Sequence, residues 1–207
     1  MPGPERPVRS VPCAIGIRAH SGWGAAVVVS LENGAEQILE RRRLEIIEPH
    51  APGAAQPYHF VERLELAAAE KHLHSCTETS SRLAGEGIRQ IVEALGSRGY
   101  RLRAAVILLS SGKPLPELPK TLASHALIHA AEGEFFRQAF RTAFASLEIP
   151  TIGIRERGLE EKAAAVFGRS APAIMKRIAG AGRAVGPPWT TDQKTAALAA
   201  AIALAEA

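Results

Sequence analysis

A two-residue turn between two β-strands is the feature of this sequence that most restricts its fold. Asn33-Gly34 is a dipeptide typical of a tight β-hairpin. It follows the apolar segment Ala25–Leu31 and precedes Gln37–Ile47, in which charged and apolar residues alternate. A further strand, Cys13–His20, leads into this hairpin through the turn Ser-Gly-Trp-Gly. After the first eleven residues, the chain is therefore expected to open with three antiparallel strands.

Two more strands are expected, each after a helix. Leu102–Leu109 is a short continuous apolar run, typical of a central strand that is covered on both faces, and Ile149–Ile154 is a second run of this kind. Helical periodicity is found in Tyr58–Leu95, Ser124–Leu147, Leu159–Phe167, Ala171–Ala181 and from about Thr191 to the C terminus. Gly85 and Gly87 predict a kink or a break in the first of these helices.

The order of these elements predicts an α/β fold. Three strands come first, then strands alternate with helices, and further helices end the chain; this order favours a mixed five-stranded sheet with helices on both faces, an antiparallel meander of three strands plus two parallel strands. With 207 residues, of which 46% are hydrophobic and 22% are charged, the chain is long enough for a substantial core. We expect a single domain over residues 12–207 and a flexible N-terminal arm over residues 1–11.

The charge of the chain allows a nucleic-acid partner. The net charge is +4, the calculated pI is about 9.4, and arginine outnumbers lysine. A guanidinium group suits phosphates and stacked bases, so DNA or RNA is an expected partner. No segment approaches the roughly 20 apolar residues that a membrane span needs, so no membrane association is expected. The oligomeric state is left open, with a homodimer among the options.

The two cysteines indicate a reducing compartment. Cys13 and Cys76 do not form a Cys-x-x-Cys pair and are most simply read as reduced thiols. The segment MPGPERPVRS contains no apolar run and does not resemble a signal peptide. We therefore expect a cytoplasmic protein.

A histidine-rich segment, SHALIHAAEGE, supplies the first candidate site. His125, His129 and Glu132 fall at i, i+4 and i+7, so they share one face of a helix that begins near Ser124. One interpretation is a metal site of two histidines and one carboxylate, or a base with its orienting partner. The other is a solvated first turn that Ser124 caps, with the glutamates, including Glu134, placed favourably near the helix N terminus.

Asp192 is the second candidate, and it is the one aspartate among 21 acidic residues. Thr190 and Gln193 match a capping box, which would place Asp192 in the first turn of the last helix. There it would stabilise the helix dipole, or contribute a polar group to a site shared with other elements.

Four stretches of the sequence fit one known pattern: AIGIRAHSGWGAAVVV as the first hairpin, LRAAVILL as the fourth strand, EGEFFRQAFRTAFASLEIPTIGIRER as a helix leading into the fifth strand, and DQKTAALAAAIALA as the last helix. With the order of the elements, they resemble the ribonuclease H-like fold and, within it, the Holliday-junction resolvase (RuvC-like) branch. The resemblance implies cleavage of phosphodiesters with divalent metal ions, Mg²⁺ or Mn²⁺, held by about four carboxylates.

This chain departs from the family pattern at most of the expected acids. Where an acid normally sits on the first strand, the chain offers Arg18 and His20, and where another normally ends the fourth strand it has Ser110 and Ser111. Asp192 stands where an acid is expected. Arg18, His20, Ser110, Ser111 and Lys113 are instead candidates for binding a phosphate or carboxylate ligand, and an alternative for Arg18 is an ion pair with a glutamate of a helix.

These residues leave three hypotheses for function. The favoured one is a nucleic-acid-associated protein of RuvC-like fold whose catalytic centre is degenerate, or has diverged to use histidine and glutamate groups. The second is a small-ligand or partner-binding protein that uses a cleft lined by Arg18, His20, Glu132 and Asp192. The third is a Mg²⁺- or Mn²⁺-dependent endonuclease, with Glu132, Glu134, His129 and Asp192 as its catalytic groups.

Overall fold

A computed structural model describes residues 10–110 and 114–207. Most of the predicted N-terminal arm, together with Ser111 and Lys113, lies outside these residues. The strands are β1 (Val11–His20), β2 (Trp23–Glu32), β3 (Ala35–Glu45), β4 (Tyr100–Leu109) and β5 (Thr151–Arg155). The helices are α1 (Pro57–Val61), α2 (Leu66–Ser97), α3 (Leu118–Leu122), α4 (His125–Ser146), α5 (Leu159–Phe167), α6 (Ala171–Gly180), α7 (Gly182–Val185) and α8 (Thr191–Glu206).

The five strands form one mixed sheet in the order β3-β2-β1-β4-β5. The pairs β1–β2 and β2–β3 are antiparallel, whereas β1–β4 and β4–β5 are parallel. Asn33 and Gly34 close the second hairpin with positive φ angles of 52° and 74°, as the Asn-Gly dipeptide predicts. The predicted fold class, with its three-stranded meander and two parallel strands, is confirmed.

Helices cover both faces of the sheet, and β1 supplies alternate residues to each. Ile15 and Ile17 pack with α2 and α4, where the side chains of Phe136 and Phe140 are fully buried. Ala14, on the opposite face, packs with the alanine-rich α8 and with α5 and α6. The helices α4 and α8 therefore lie on opposite sides of the sheet, which decides which candidate residues can meet.

The helix α8 lies unusually close to β1. A Cβ atom added at Gly16 would lie 2.0 Å from the carbonyl oxygen of Ala196, so only glycine fits at this point of the strand. Residues 196 to 203 of α8 are all buried, and six of the eight are alanine. Small side chains on both elements bring the backbones together, which fixes the start of α8 beside the end of β1.

The helical segment after the meander differs from its prediction. It consists of α1 and α2, separated at residues 62 to 65, and α2 runs unbroken through Gly85 and Gly87. Gly87 lies against Leu44, whose Cδ2 atom would be 2.9 Å from an added Cβ, so this glycine serves close packing and not a break. A short helix, α3, precedes α4, and its Pro119 occupies the first turn, where a missing N–H costs nothing.

None of the helices in the described ranges is both long enough and apolar enough to cross a membrane.

Candidate functional site

Arg18 lies between two carboxylates at the end of β1. Its Nε donates to Glu156 Oε1 at 2.9 Å, and its Nη2 lies 2.7 Å from the same oxygen. Its Nη1 donates to Asp192 Oδ1. Glu156 begins a 3₁₀ helix (Glu156–Gly158) directly after β5, and Asp192 lies in the first turn of α8. We call these three residues, together with His20, the Arg18 cluster.

The Arg18 cluster is stabilised by opposite charges in a half-buried position. The side chains of Arg18 and Asp192 are 26% and 22% exposed, so solvent screens the ion pair only in part. Burial lowers the pKa of Arg18, but the hydrogen bonds and charges of Glu156 and Asp192 outweigh it and hold the pKa above its usual value. One positive and two negative charges leave a net charge of −1. A phosphate would have to compete with both carboxylates for Arg18.

His20 completes this cluster. Burial lowers the pKa of His20 and the charge of Arg18 lowers it further, while Asp192 acts in the opposite direction, and the net effect is a lowered pKa. Its Nε2 lies 3.3 Å from Asp192 Oδ2, but it is buried and has no hydrogen-bond partner of good geometry among the described residues. The ring stacks on Trp23 at 4.2 Å, and the guanidinium of Arg43 covers the indole at 3.7 Å.

Sequence reasoning missed Glu156 and the stack of His20, Trp23 and Arg43. Glu156 follows β5 directly, and the carboxyl ends of the parallel strands β1, β4 and β5 meet at one edge of the sheet. That position in the sequence is a signal that could have identified it. Ser110 follows β4 at the same edge and is exposed. Ser111 and Lys113 lie outside the described residues.

A second cluster lies at the start of α4, on the other side of the sheet. His125 Nε2 and His129 Nε2 are 3.0 Å apart, and His59 of α1 joins them. One ring nitrogen from each of the three residues lies within 4.8 Å of the other two. His125 and His129 are exposed, whereas His59 is half-buried. We call these residues the histidine cluster; His59 was not among the predicted site residues.

Glu132 contacts the histidine cluster through His59. It is not one of the three groups that converge there, so His59 takes the place that the predicted site of two histidines and one carboxylate gave to Glu132. Its Oε1 accepts hydrogen bonds from the backbone N–H of His59 at 3.0 Å and from His59 Nδ1 at 3.1 Å. The residue is 6% exposed, and its Oε2 has no hydrogen-bond partner within the described ranges. Burial raises the pKa of Glu132, although the hydrogen bonds from His59 act against this.

The structure does not bring Glu132, Glu134 and Asp192 together. Glu134 pairs with Arg137 Nε at 3.0 Å and with Arg141 Nη1 at 2.6 Å along α4. Because α4 and α8 cover opposite faces of the sheet, the two glutamates and Asp192 belong to different sites. For the same reason, Glu132 does not line the cleft that contains Arg18, His20 and Asp192.

The capping box at the start of α8 is present. The N–H of Asp192 donates to Thr190 Oγ1 at 3.3 Å, and the N–H of Thr190 donates to Gln193 Oε1 at 2.9 Å. Asp192 therefore sits in the first helical turn, as predicted, with its carboxylate turned to Arg18. By contrast, Ser124 precedes α4 without a side-chain capping bond.

Comparison with known proteins gives the fold of the chain. No protein-family model and no curated protein matches the sequence. Two solved structures of RuvC from Thermus thermophilus are similar over 92% of this chain. One, in complex with a Holliday junction substrate, has a TM-score of 0.51, is 12% identical and is covered over 90% of its length. The other, described as the RuvC structure, has a TM-score of 0.51, is 11% identical and is covered over 91%. The chain therefore has the ribonuclease H-like fold of RuvC.

Proposed function

We propose that this protein binds DNA or RNA at the sheet edge that contains the Arg18 cluster, and that it does so without metal-dependent cleavage. The observation that carries the non-cleaving part of the proposal is the position of Arg18, whose guanidinium pairs with the carboxylates of Glu156 and Asp192. The similar structure of RuvC holds a Holliday junction substrate, which favours a nucleic acid as the ligand of this chain too. A shared fold alone does not carry function, so the argument has to rest on the site.

The Arg18 cluster does not fit the pair of divalent ions that the fold family uses. Among residues 10–110 and 114–207 the cluster contains two carboxylates, and both are neutralised in part by one guanidinium. At an effective dielectric constant near 20, a unit positive charge repels a divalent cation about 4 Å away by several kcal/mol. The cluster also contains the imidazole of His20, which carries no negative charge that would attract the ion. These features support binding without Mg²⁺-assisted hydrolysis.

Exposed arginines near the cluster are suited to the phosphate backbone. Arg155 and Arg157 flank Glu156 in the sequence, and both are exposed. Arg43 is 54% exposed and covers the outer face of Trp23. Guanidinium groups bind phosphates in a bidentate manner and also stack on bases. The cluster itself has a net negative charge, so we assign the phosphate contacts to these surrounding arginines.

Binding of nucleic acid is expected to weaken steeply with salt. Fluorescence anisotropy would measure the Kd for a labelled four-way junction, a duplex and a single strand over a series of salt concentrations. The double variant Arg155→Ala, Arg157→Ala should bind more weakly to all three, and its salt slope should be lower by about one unit for each lost phosphate contact.

Arg82 provides the matched control, because it is an exposed arginine on α2, on the opposite side of the sheet, where it pairs with Glu48 and Glu86. Arg82→Ala should leave the affinity and the slope unchanged. An affinity that does not depend on salt, or an equal loss in both variants, would contradict the proposed surface.

No cleavage of these substrates is expected with Mg²⁺ or Mn²⁺. Incubation of a supercoiled plasmid and of the four-way junction with excess protein, followed by denaturing electrophoresis, would measure nicking. Nicking by the wild type that Asp192→Asn abolishes would overturn the non-cleaving part of the proposal. The result of the nucleic-acid binding measurement does not depend on whether nicking is observed.

A further inference from the structure

The histidine cluster has the arrangement of a metal site. His125 and His129 are one helical turn apart on α4, so their rings share one face, and His59 enters from α1. One ring nitrogen from each residue lies within 4.8 Å of the other two, and His125 Nε2 and His129 Nε2 are 3.0 Å apart. A tetrahedral zinc ion with Zn–N bonds of about 2.0–2.1 Å places its nitrogen ligands roughly 3.3–3.4 Å apart. Small side-chain rotations would bring the three nitrogens to that spacing.

The contact between Glu132 and His59 gives a second, independent reason. When an ionised carboxylate accepts from His59 Nδ1, that nitrogen must carry the proton, so Nε2 presents its lone pair. Metal-binding histidines commonly donate their second ring nitrogen to a carboxylate in this manner. Glu132 is 6% exposed, and its Oε2 lacks a hydrogen-bond partner among the residues described. A buried carboxylate of this kind is stabilised by a cation nearby.

We propose that His59, His125 and His129 bind a zinc ion, with Glu132 as the positioning residue that orients His59. Three neutral imidazoles suit Zn²⁺ and disfavour Mg²⁺, which prefers oxygen ligands. His125 and His129 are exposed, so the fourth position of a tetrahedral ion faces solvent and is open to water or to a small ligand. The site lies on α1 and α4, away from the Arg18 cluster, and it does not depend on the proposed nucleic-acid binding.

Calorimetric titration with ZnCl₂ tests the site directly. The protein would carry no histidine tag and would first be treated with EDTA. The wild type should bind one zinc ion per chain, and each of His59→Ala, His125→Ala and His129→Ala should lose that binding. His74→Ala is the matched control, because His74 is an exposed histidine on α2 that pairs with Glu78, and it should bind zinc as the wild type does. Co²⁺ in place of zinc should give visible absorption bands that the three cluster variants lack.

Glu132→Gln separates positioning from folding. It keeps the size of the side chain and removes its charge, so zinc affinity should fall by roughly 10- to 100-fold while the metal-free protein unfolds at nearly the same temperature. Unchanged zinc affinity in this variant would overturn the positioning role. Absence of zinc binding by the wild type, or binding that His125→Ala and His129→Ala retain, would overturn the site itself. Neither result bears on the salt dependence of nucleic-acid binding, so the two proposals fail separately.

Discussion

The substitution Gly16→Ala is expected to destabilise the protein by about 3 kcal/mol or more, because it overpacks a contact that cannot relax. An added Cβ would lie 2.0 Å from the carbonyl oxygen of Ala196 and 2.8 Å from its carbonyl carbon. Both atoms are backbone, so no flexible side chain can move aside. Either α8 shifts away from β1, or the strand distorts and loses hydrogen bonds to its neighbours. Urea denaturation, followed by circular dichroism, would measure the change in the free energy of unfolding.

Gly85→Ala is the control for this prediction. Gly85 lies within α2, and no atom outside that helix's own backbone lies within 4 Å of the position of an added Cβ. Alanine is favoured over glycine in a helix by about 1 kcal/mol, so this variant should be at least as stable as the wild type. Equal stability of the two variants would contradict the close contact between β1 and α8. The contact between β1 and α8 also places Asp192 beside Arg18. If α8 shifts away from β1 in Gly16→Ala, Asp192 moves away from Arg18 and their ion pair is lost.

The second large effect is expected for Arg18→Asp. This change replaces the cation between Glu156 and Asp192 with a third carboxylate, so two ion pairs become repulsive contacts. We expect a loss of about 3 kcal/mol in EDTA, a value that allows for the partial exposure of these groups. Three carboxylates at one edge of the sheet are ligands that Mg²⁺ and Mn²⁺ prefer, so either ion should restore much of the lost stability. Thermal unfolding with EDTA or with excess MnCl₂ would measure both effects.

Arg18→Gln is the companion variant, since it removes the positive charge without adding a negative one. It should lose less stability than Arg18→Asp, and its response to Mn²⁺ should lie between those of the wild type and Arg18→Asp, because the repelling guanidinium is gone but no third carboxylate is added. If the wild type is itself strongly stabilised by Mn²⁺, and Arg18→Asp is stabilised no further, the guanidinium is not what keeps divalent ions from this edge of the sheet.

Local patterns predicted the fold because they depend on neighbouring residues. The positive φ angles at Asn33 and Gly34 follow from the chemistry of that dipeptide. The capping box joins Thr190 and Gln193, which are three positions apart in the sequence. The apolar run of Leu102–Leu109 predicts a strand covered on both faces, and β4 lies between β1 and β5 with helices above and below. Each of these signals is contained in a short window of sequence.

The sites could be predicted only in part, because their partners are distant in the sequence. Arg18 meets Glu156 across 138 residues and Asp192 across 174, and His59 meets Glu132 across 73. Periodicity places a residue on a face of its own element, but it does not say which other element covers that face. His125 and His129 were found because they lie on one helix, whereas His59 comes from a separate short helix. Gly87 shows the same limit, since its packing against Leu44 outweighs the tendency of glycine to break a helix.

The separation of the two clusters by the sheet has a consequence for how each can change. The apolar strands of the sheet lie between α4 and α8 and so between the two clusters. Within residues 10–110 and 114–207, no charged group of one cluster pairs with a group of the other. Substitutions far apart with no shared partners have nearly additive effects. Substitutions in one cluster could therefore accumulate during evolution without changing the stability or the contacts of the other cluster.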